Sequence, residues 1–175
     1  MNDKKTEKAI LGGGCFWCME ALYQAVNGVT SITSGYAGGI VPNPTYEQVS
    51  TGRTGHAEVV LLEFDPSEVS YEKILSLFWK AHDPTTLNRQ GADEGTQYRS
   101  IIVCENDAQK AIAEKSKAEA QKDFKEPIVT EIVVGKEFFP SEKYHHDYYK
   151  KHPNEGYSQM VIAPKLEKFK KVIKQ

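Results

Sequence analysis

The chain has 175 residues, 39% of them hydrophobic and 26% charged, which suits one globular domain with a sizeable core. A formal net charge of −2 makes no electrostatic case for nucleic acid or an anionic membrane, and no apolar run approaches the roughly 20 residues that span a bilayer. Three cysteines are an odd, low count that excludes a dense disulfide framework and points to a reducing, cytoplasmic setting. The charged segment Met1–Lys8 has no long apolar stretch behind it, so no secretory leader is expected.

In chain order, Lys8–Leu11 reads as a short strand running into Gly12-Gly13-Gly14. A helix is expected from about Cys15 to Val26, with Asn27-Gly28 as its stop. Val29–Tyr36 reads as a strand, Val41–Pro44 as a proline loop, and Thr45–Ser50 as one helical turn. Ala57–Phe64 is the clearest strand, and Asp65–Ser67 a turn. Tyr71–Ala81 places Ile74, Leu75, Phe78 and Trp79 at helical spacing. His82–Thr96 is a long polar loop, a kind that often carries function. Tyr98–Cys104 and Ile128–Val134 read as strands, and Asp107–Phe124 as a long helix with an Asp or Asn cap. Ser141–Lys150 and Pro164–Ile173 read as helices. No repeat or linker divides the chain, so residues 1–175 are expected to form one domain. The fold class that fits is α+β: a two-layer sandwich with a mixed sheet and a split βαβ, ferredoxin-like core.

The chemistry concentrates at Gly13-Gly14-Cys15-Phe16-Trp17-Cys18. Two thiols at i and i+3 on the first turn of a helix share one face. The partial positive charge and unpaired N–H groups of a helix start favour thiolate, the nucleophilic form. A second thiol within reach can close a disulfide. Buried, inert cysteines and a zinc site are the alternatives. A structural zinc needs four ligands, and neither a second Cys-x-x-Cys nor the usual histidine spacing accompanies this pair. A general dithiol–disulfide oxidoreductase is the rival enzyme class, although Phe16-Trp17 fits poorly between its cysteines. Gly12-Gly13-Gly14 lacks the partners of a phosphate loop and instead lets the backbone approach closely and expose Cys15.

Phe16 and Trp17 are core aromatics or the walls of an apolar pocket beside the thiol. Glu58, if it faces the cysteine, would have its pKa raised by burial and could donate a proton near neutral pH. Tyr46 and Tyr98 could clamp one developing oxyanion. Asp93 is by default a turn residue in a glycine-flanked loop. Cys104 ends an apolar run and reads as buried and inert. The Tyr144–Tyr149 cluster of tyrosines and histidines reads as a packed helix face that could also line a site.

Gly14-Cys15-Phe16-Trp17 resembles the signature of the peptide methionine sulfoxide reductase A family. Gly35-Tyr36-Ala37-Gly38-Gly39, Pro44–Val49, Thr54-Gly55-His56-Ala57-Glu58, Asp93–Ser100 and Phe138–Glu142 with Tyr144-His145 and Asp147-Tyr148 are similar to that family's motifs, in its order. The resemblance implies an α+β two-layer sandwich and reduction of methionine S-sulfoxide, free or in proteins and peptides. Cys15 would be the nucleophile, Glu58 the proton donor, and Tyr46 and Tyr98 the oxygen's hydrogen-bond partners. Asp93 would support the site, and Phe16 and Trp17 would hold the substrate methyl. No cysteine follows Cys104, whereas Cys18 directly follows Trp17, as in the subgroup with Gly-Cys-Phe-Trp-Cys. Cys18 would therefore resolve the Cys15 sulfenic acid into a disulfide that thioredoxin reduces. Metal and organic cofactor are not needed, because the electrons come through thiols. A monomer is expected.

Overall fold

The computed structural model describes residues 5–174; the leaderless reading of the N-terminus falls in part on residues 1–4, outside them. The first half of the chain contains β1 (Glu7–Gly12), α1 (Phe16–Gln24), β2 (Val29–Ala37), α2 (Tyr46–Ser50), β3 (Ala57–Phe64) and α3 (Tyr71–Ala81). There follow β4 (Arg89–Gln90), β5 (Asp93–Glu94), β6 (Ile101–Cys104), α4 (Asp107–Ala120), β7 (Glu131–Val134), β8 (Phe139–Pro140), α5 (Tyr148–Lys151) and α6 (Ala163–Ile173).

Among the described residues, six strands form one sheet in the order β7-β6-β1-β3-β2-β8, and β4 pairs with β5 in a small separate ladder. The sheet is mixed: β6 and β7 run parallel, and every other neighbouring pair runs antiparallel. Its inner four strands, β6-β1-β3-β2, carry the split βαβ arrangement. α1 joins β1 to β2 across β3, and α3 joins β3 to β6 across β1. The α+β class expected from the sequence is the one observed.

Strand periodicity sorts the side chains. Val60, Leu62 and Phe64 of β3 join Ala9, Leu11, Ile102 and the buried residues of α1, α3, α4 and α6 in the main core. Ala57 and Val59 point the other way, with Ile10, Ile101 and Val103, into a smaller cluster that contains no helix residue. The helices therefore lie on one face of the sheet. Glu58 shares parity with Val60, so its carboxyl faces the helix layer. It is 1% exposed.

Local chemistry explains the element starts. Thr45 and Gln48 form a reciprocal capping box on α2, and Ser70 and Asn106 accept amide hydrogens at the starts of α3 and α4, each supplying an acceptor to otherwise unpaired amides.

The expected loop 82–96 contains the short β4–β5 ladder, and β8 adds an unexpected edge strand; in four further stretches the backbone groups find partners other than those the sequence reading gave them. Tyr98 belongs to a 3₁₀ turn, Thr96–Tyr98, because Gly95 at φ +143° turns the chain and its carbonyl takes the Tyr98 amide. β7 begins only at Glu131, since the Ile128 amide bonds the Gln121 side chain and the Val129 amide bonds the Pro84 carbonyl. α4 ends at Ala120 and tightens into the 3₁₀ turn Gln121–Asp123. Finally, 141–150 is not one helix. A 3₁₀ turn at Lys143–His145 gives way to extended His146 and left-handed Asp147 (φ 56°) before α5.

Candidate active site

The site lies where β1 hands the chain to α1. Cys15 occupies the cap position in front of α1, with extended backbone, and its carbonyl accepts the amides of Cys18 and Met19. Gly14 sits at φ +97°, a conformation that favours glycine, and an added Cβ would lie 2.7 Å from Gln90. The turn thus delivers Cys15 directly onto the inward-facing end of β3.

Glu58 meets it there. The Phe16 amide donates to Glu58 Oε1 at 3.2 Å. Burial pushes the Glu58 carboxyl up to about 8; the Phe16 amide opposes that and the Asp93 charge adds to it. Glu58 is therefore predominantly a protonated acid at neutral pH. Cys15 is 8% exposed, and burial, reinforced by Glu58 and Cys18, pushes its thiol well above the ordinary value. Here the structure corrects the sequence reading, in which the helix start favours thiolate. A helix terminus contributes about 0.3–2 kcal/mol, whereas full burial can shift a pKa by about 3–5 units, each worth about 1.36 kcal/mol. Desolvation wins, and the resting pair is thiol and acid.

The two phenols expected from the sequence stand beside this pair. Burial pushes Tyr46 up to about 12, with Glu58 and then Cys15 adding to it. Tyr98 is also raised, by burial first and then by Glu58, Tyr46 and Cys15. Both hydroxyls thus keep their protons and can donate. Tyr46 is held by Glu142, whose Oε2 accepts the Tyr46 amide at 3.0 Å while Oε1 accepts the Tyr36 hydroxyl at 3.0 Å.

The aromatic walls are layered. Phe16 is fully buried and lies 6.4 Å from Tyr46, 5.7 Å from Tyr36 and 5.1 Å from His145 between ring centroids. Trp17 is half-buried, stacks flat on Tyr148 at 3.7 Å and 7°, meets Tyr157 edge-on at 5.7 Å, and donates its indole N–H to His145 Nδ1 at 3.1 Å. Of the two readings of the 144–149 cluster, a packed helix face or the lining of a site, the contacts of His145 and Tyr148 with Trp17 favour the second. Beneath it, Glu20 of α1 is 2% exposed. Burial raises its carboxyl to about 7, opposed by hydrogen bonds from the amides of Asp147 and Tyr148. That carboxyl, with Gln24 donating to Asp147 at 2.8 Å, stabilises the kink that breaks the expected helix.

Cys18 is 2% exposed, and burial raises its thiol, with Lys165 opposing. Residues three apart on a helix stand about 5–6 Å apart at Cβ, within the reach of a disulfide after small adjustment. All three cysteines are free thiols. Cys104 is 1% exposed and lies at the far end of β6 from Ile101, the partner of Gly12, roughly 10 Å along the strand. Asp93 accepts the Tyr157 hydroxyl at 2.8 Å, and Tyr157 in turn lies 3.7 Å from Cys18 Sγ.

Tyr157, His145, Tyr148 and Glu20 were not singled out as site residues from the sequence. Glu142, His145 and Tyr148 fell within matched motifs without a role. Tyr157 has no local signal, being a lone tyrosine in a polar stretch. Among the described residues, no group of three or more His, Cys, Asp or Glu is arranged to hold a metal. A cavity of about 580 Å³, rimmed by Lys80, Lys125, Lys165 and Lys168, is lined by neither Cys15 nor Glu58.

Residues 7–175 match the family model described as peptide methionine sulfoxide reductase. The chain belongs to that family. It is 55% identical over 166 residues to peptide methionine sulfoxide reductase MsrA of Saccharolobus solfataricus, covering 95% of this chain and 94% of that one. It is 56% identical over 164 residues to the MsrA of Nitratiruptor sp., covering 94% of each. Among solved structures, reduced Mxr1 from Saccharomyces cerevisiae superposes with a TM-score of 0.83 at 33% identity, over 88% of this chain and 90% of that one. The yeast protein has also been solved in complex with Trx2. The reductase is an oxidoreductase acting on methionine sulfoxide. Among its described residues, no helix is long and apolar enough to cross a membrane.

Proposed function

We propose that residues 1–175 form a single reductase domain of the Gly-Cys-Phe-Trp-Cys subgroup, in which Cys15 attacks the sulfur of methionine S-sulfoxide. The observation that carries this reading is the buried pair of Cys15 and Glu58, neutral at rest, with Glu58 holding a proton that neutral water would otherwise remove. The sulfoxide oxygen takes that proton, and the Cys15 thiol proton replaces it on Glu58. Oxygen passes to Cys15, which becomes a sulfenic acid, while the substrate sulfur is reduced by two electrons to methionine. The Tyr46 and Tyr98 hydroxyls stabilise the charge developing on oxygen, and Asp93 supports the site. Phe16 and Trp17 offer the apolar wall against which a methyl group packs.

Cys18 then displaces the hydroxyl of the sulfenic acid, giving a Cys15–Cys18 disulfide and water. Thioredoxin reduces that disulfide. The complex of yeast Mxr1 with Trx2 supports such a partner, and a cytoplasmic monomer meets it in solution. Substrates are oxidised proteins and peptides and free methionine sulfoxide.

The test is a racemic methionine sulfoxide peptide with dithiothreitol, followed by chiral chromatography, with Cys15→Ser as control. Consumption of the S epimer alone, absent in the variant, supports the reading; consumption by Cys15→Ser overturns it. Cys18→Ser is expected to make one methionine per chain and then stall with a sulfenic acid. Normal cycling of that variant with thioredoxin would remove Cys18 from the resolving role.

A further inference from the structure

Reduction leaves Glu58 protonated, so recycling needs a different base. A thiol attacks as thiolate, yet Cys18 is buried and its thiol is pushed up. The polar atom bonded to its sulfur is the Tyr157 hydroxyl, 3.7 Å away. A phenol carries one proton, and Tyr157 commits that proton to Asp93 Oδ2 at 2.8 Å. Its oxygen therefore accepts from Cys18. The chain is directional: Cys18 S–H to Tyr157 oxygen, Tyr157 O–H to the Asp93 carboxylate.

We propose that Tyr157 and Asp93 form a proton relay that deprotonates Cys18 as it attacks the Cys15 sulfenic acid. This assignment rests on Cys18 being the resolving thiol. Cys18 Sγ bonds to Cys15 Sγ, and the Cys15 S–O bond breaks with its electron pair leaving on oxygen. Glu58, which holds the former Cys15 proton, protonates that oxygen, and water departs. The Cys18 proton moves to the Tyr157 oxygen as Tyr157's own proton moves to Asp93. The sum is sulfenic acid plus thiol to disulfide plus water, with one proton transferred from Glu58 to Asp93. Exchange with solvent resets the two carboxyls.

Three features hold the relay in place. Trp17 packs edge-on against Tyr157, so the same residue walls the substrate pocket and orients the phenol. Tyr157 also stands close enough to Cys15 to act on its thiol, so the phenol borders both sulfurs that join. Directly after it, Ser158–Ile162 forms a π-turn, a motif frequent at functional sites. Within it Ser158 is fully buried and its hydroxyl lacks a partner.

The experiment is rapid-quench single turnover of the Tyr157→Phe protein with excess methionine sulfoxide and no reductant. Methionine formation and disulfide formation are read separately, and dimedone traps the sulfenic acid. The relay predicts a retained methionine burst and disulfide formation slowed about 10²-fold or more, the lower end of acid–base contributions. The residual rate should rise with pH, because solvent hydroxide then removes the Cys18 proton, a response that loss of packing alone does not produce. Asp93→Asn should slow the same step, and the double variant should add little, as expected of groups acting in one chain. Disulfide formation at the wild-type rate in Tyr157→Phe overturns the relay, as does joint loss of the methionine burst. Cys18→Ser run in parallel separates the two readings: if it still forms a Cys15 disulfide, the resolving role falls, and the relay with it.

Discussion

Two buried polar clusters flank the glycine turn before Cys15, and they have opposite characters. On one side, His82 packs against Gly13, where an added Cβ would lie 2.9 Å from the ring. Its Nδ1 bonds the Phe78 carbonyl at 2.8 Å and its Nε2 the Ser100 hydroxyl at 2.7 Å, while Ser100 bonds Thr130 at 2.7 Å. Burial lowers His82 to about 4; the ring stays neutral and both nitrogens are satisfied. On the other side, Glu58 is pushed up to about 8 and Cys15 well above its ordinary value, and His145 Nε2 is buried without a partner. Burial is equal on the two sides, and satisfaction differs. A closed network rigidifies the fold, whereas one with open valences keeps protons and acceptors for a substrate.

The largest effect that would break this contrast is at Glu58. Glu58→Gln should slow first-turnover methionine formation by about 10²–10⁴-fold while iodoacetamide still alkylates Cys15. A near-normal burst would place Glu58 with the structural cluster. The wild-type first-turnover rate should hold below about pH 8 and decline above it as Glu58 loses its proton, and Glu58→Gln should lack that limb. The linkage sign follows the same shift. Glu58 binds its proton more tightly folded than unfolded, so its contribution to stability is full below the ordinary carboxyl range and is lost as pH rises through about 8. Glu58→Gln should therefore melt higher than wild type at pH 8, by calorimetry.

Next in size, Tyr46→Phe should cost about 10²–10³-fold in the reduction step, as for removal of one oxyanion donor, without changing disulfide formation in a second quench channel. Ser100→Ala tests the closed cluster. It strands His82 Nε2 and should cost about 1–3 kcal/mol of stability in urea unfolding, with the methionine burst per folded molecule unchanged.

The smallest effect is expected at Glu20. Glu20→Ala removes the acceptor from the amides of Asp147 and Tyr148, a cap worth about 0.5–2 kcal/mol. It should loosen the Trp17–Tyr148 stack and raise KM more than it lowers kcat, and Glu20→Gln should restore much of the loss. Equal changes in both variants would deny Glu20 this positioning role.

Much of the molecule was legible in the chain. The Val- and Leu-rich run Ala57–Phe64 and the 3.6 period of Tyr71–Ala81 matched β3 and α3 end to end, because β3 is covered on both faces and α3 buries one face against the sheet. The Cys-x-x-Cys spacing marked the thiols, since three residues on a helix start is a local geometry. The segment 141–150 was misread for a non-local reason. Its backbone conformation follows from Glu20 and Gln24, more than 120 residues earlier, and no window over the segment contains them.

By itself, then, the sequence determined the α+β layering, the cysteine pair and its aromatic neighbours, all of them consequences of periodicity and short spacing. The tertiary structure decided which face of β3 Glu58 takes, how far burial outweighs the helix terminus at Cys15, and that Tyr157 joins Cys18 to Asp93. Those outcomes depend on desolvation and on contacts between distant segments. Both arise only when the chain has closed water out.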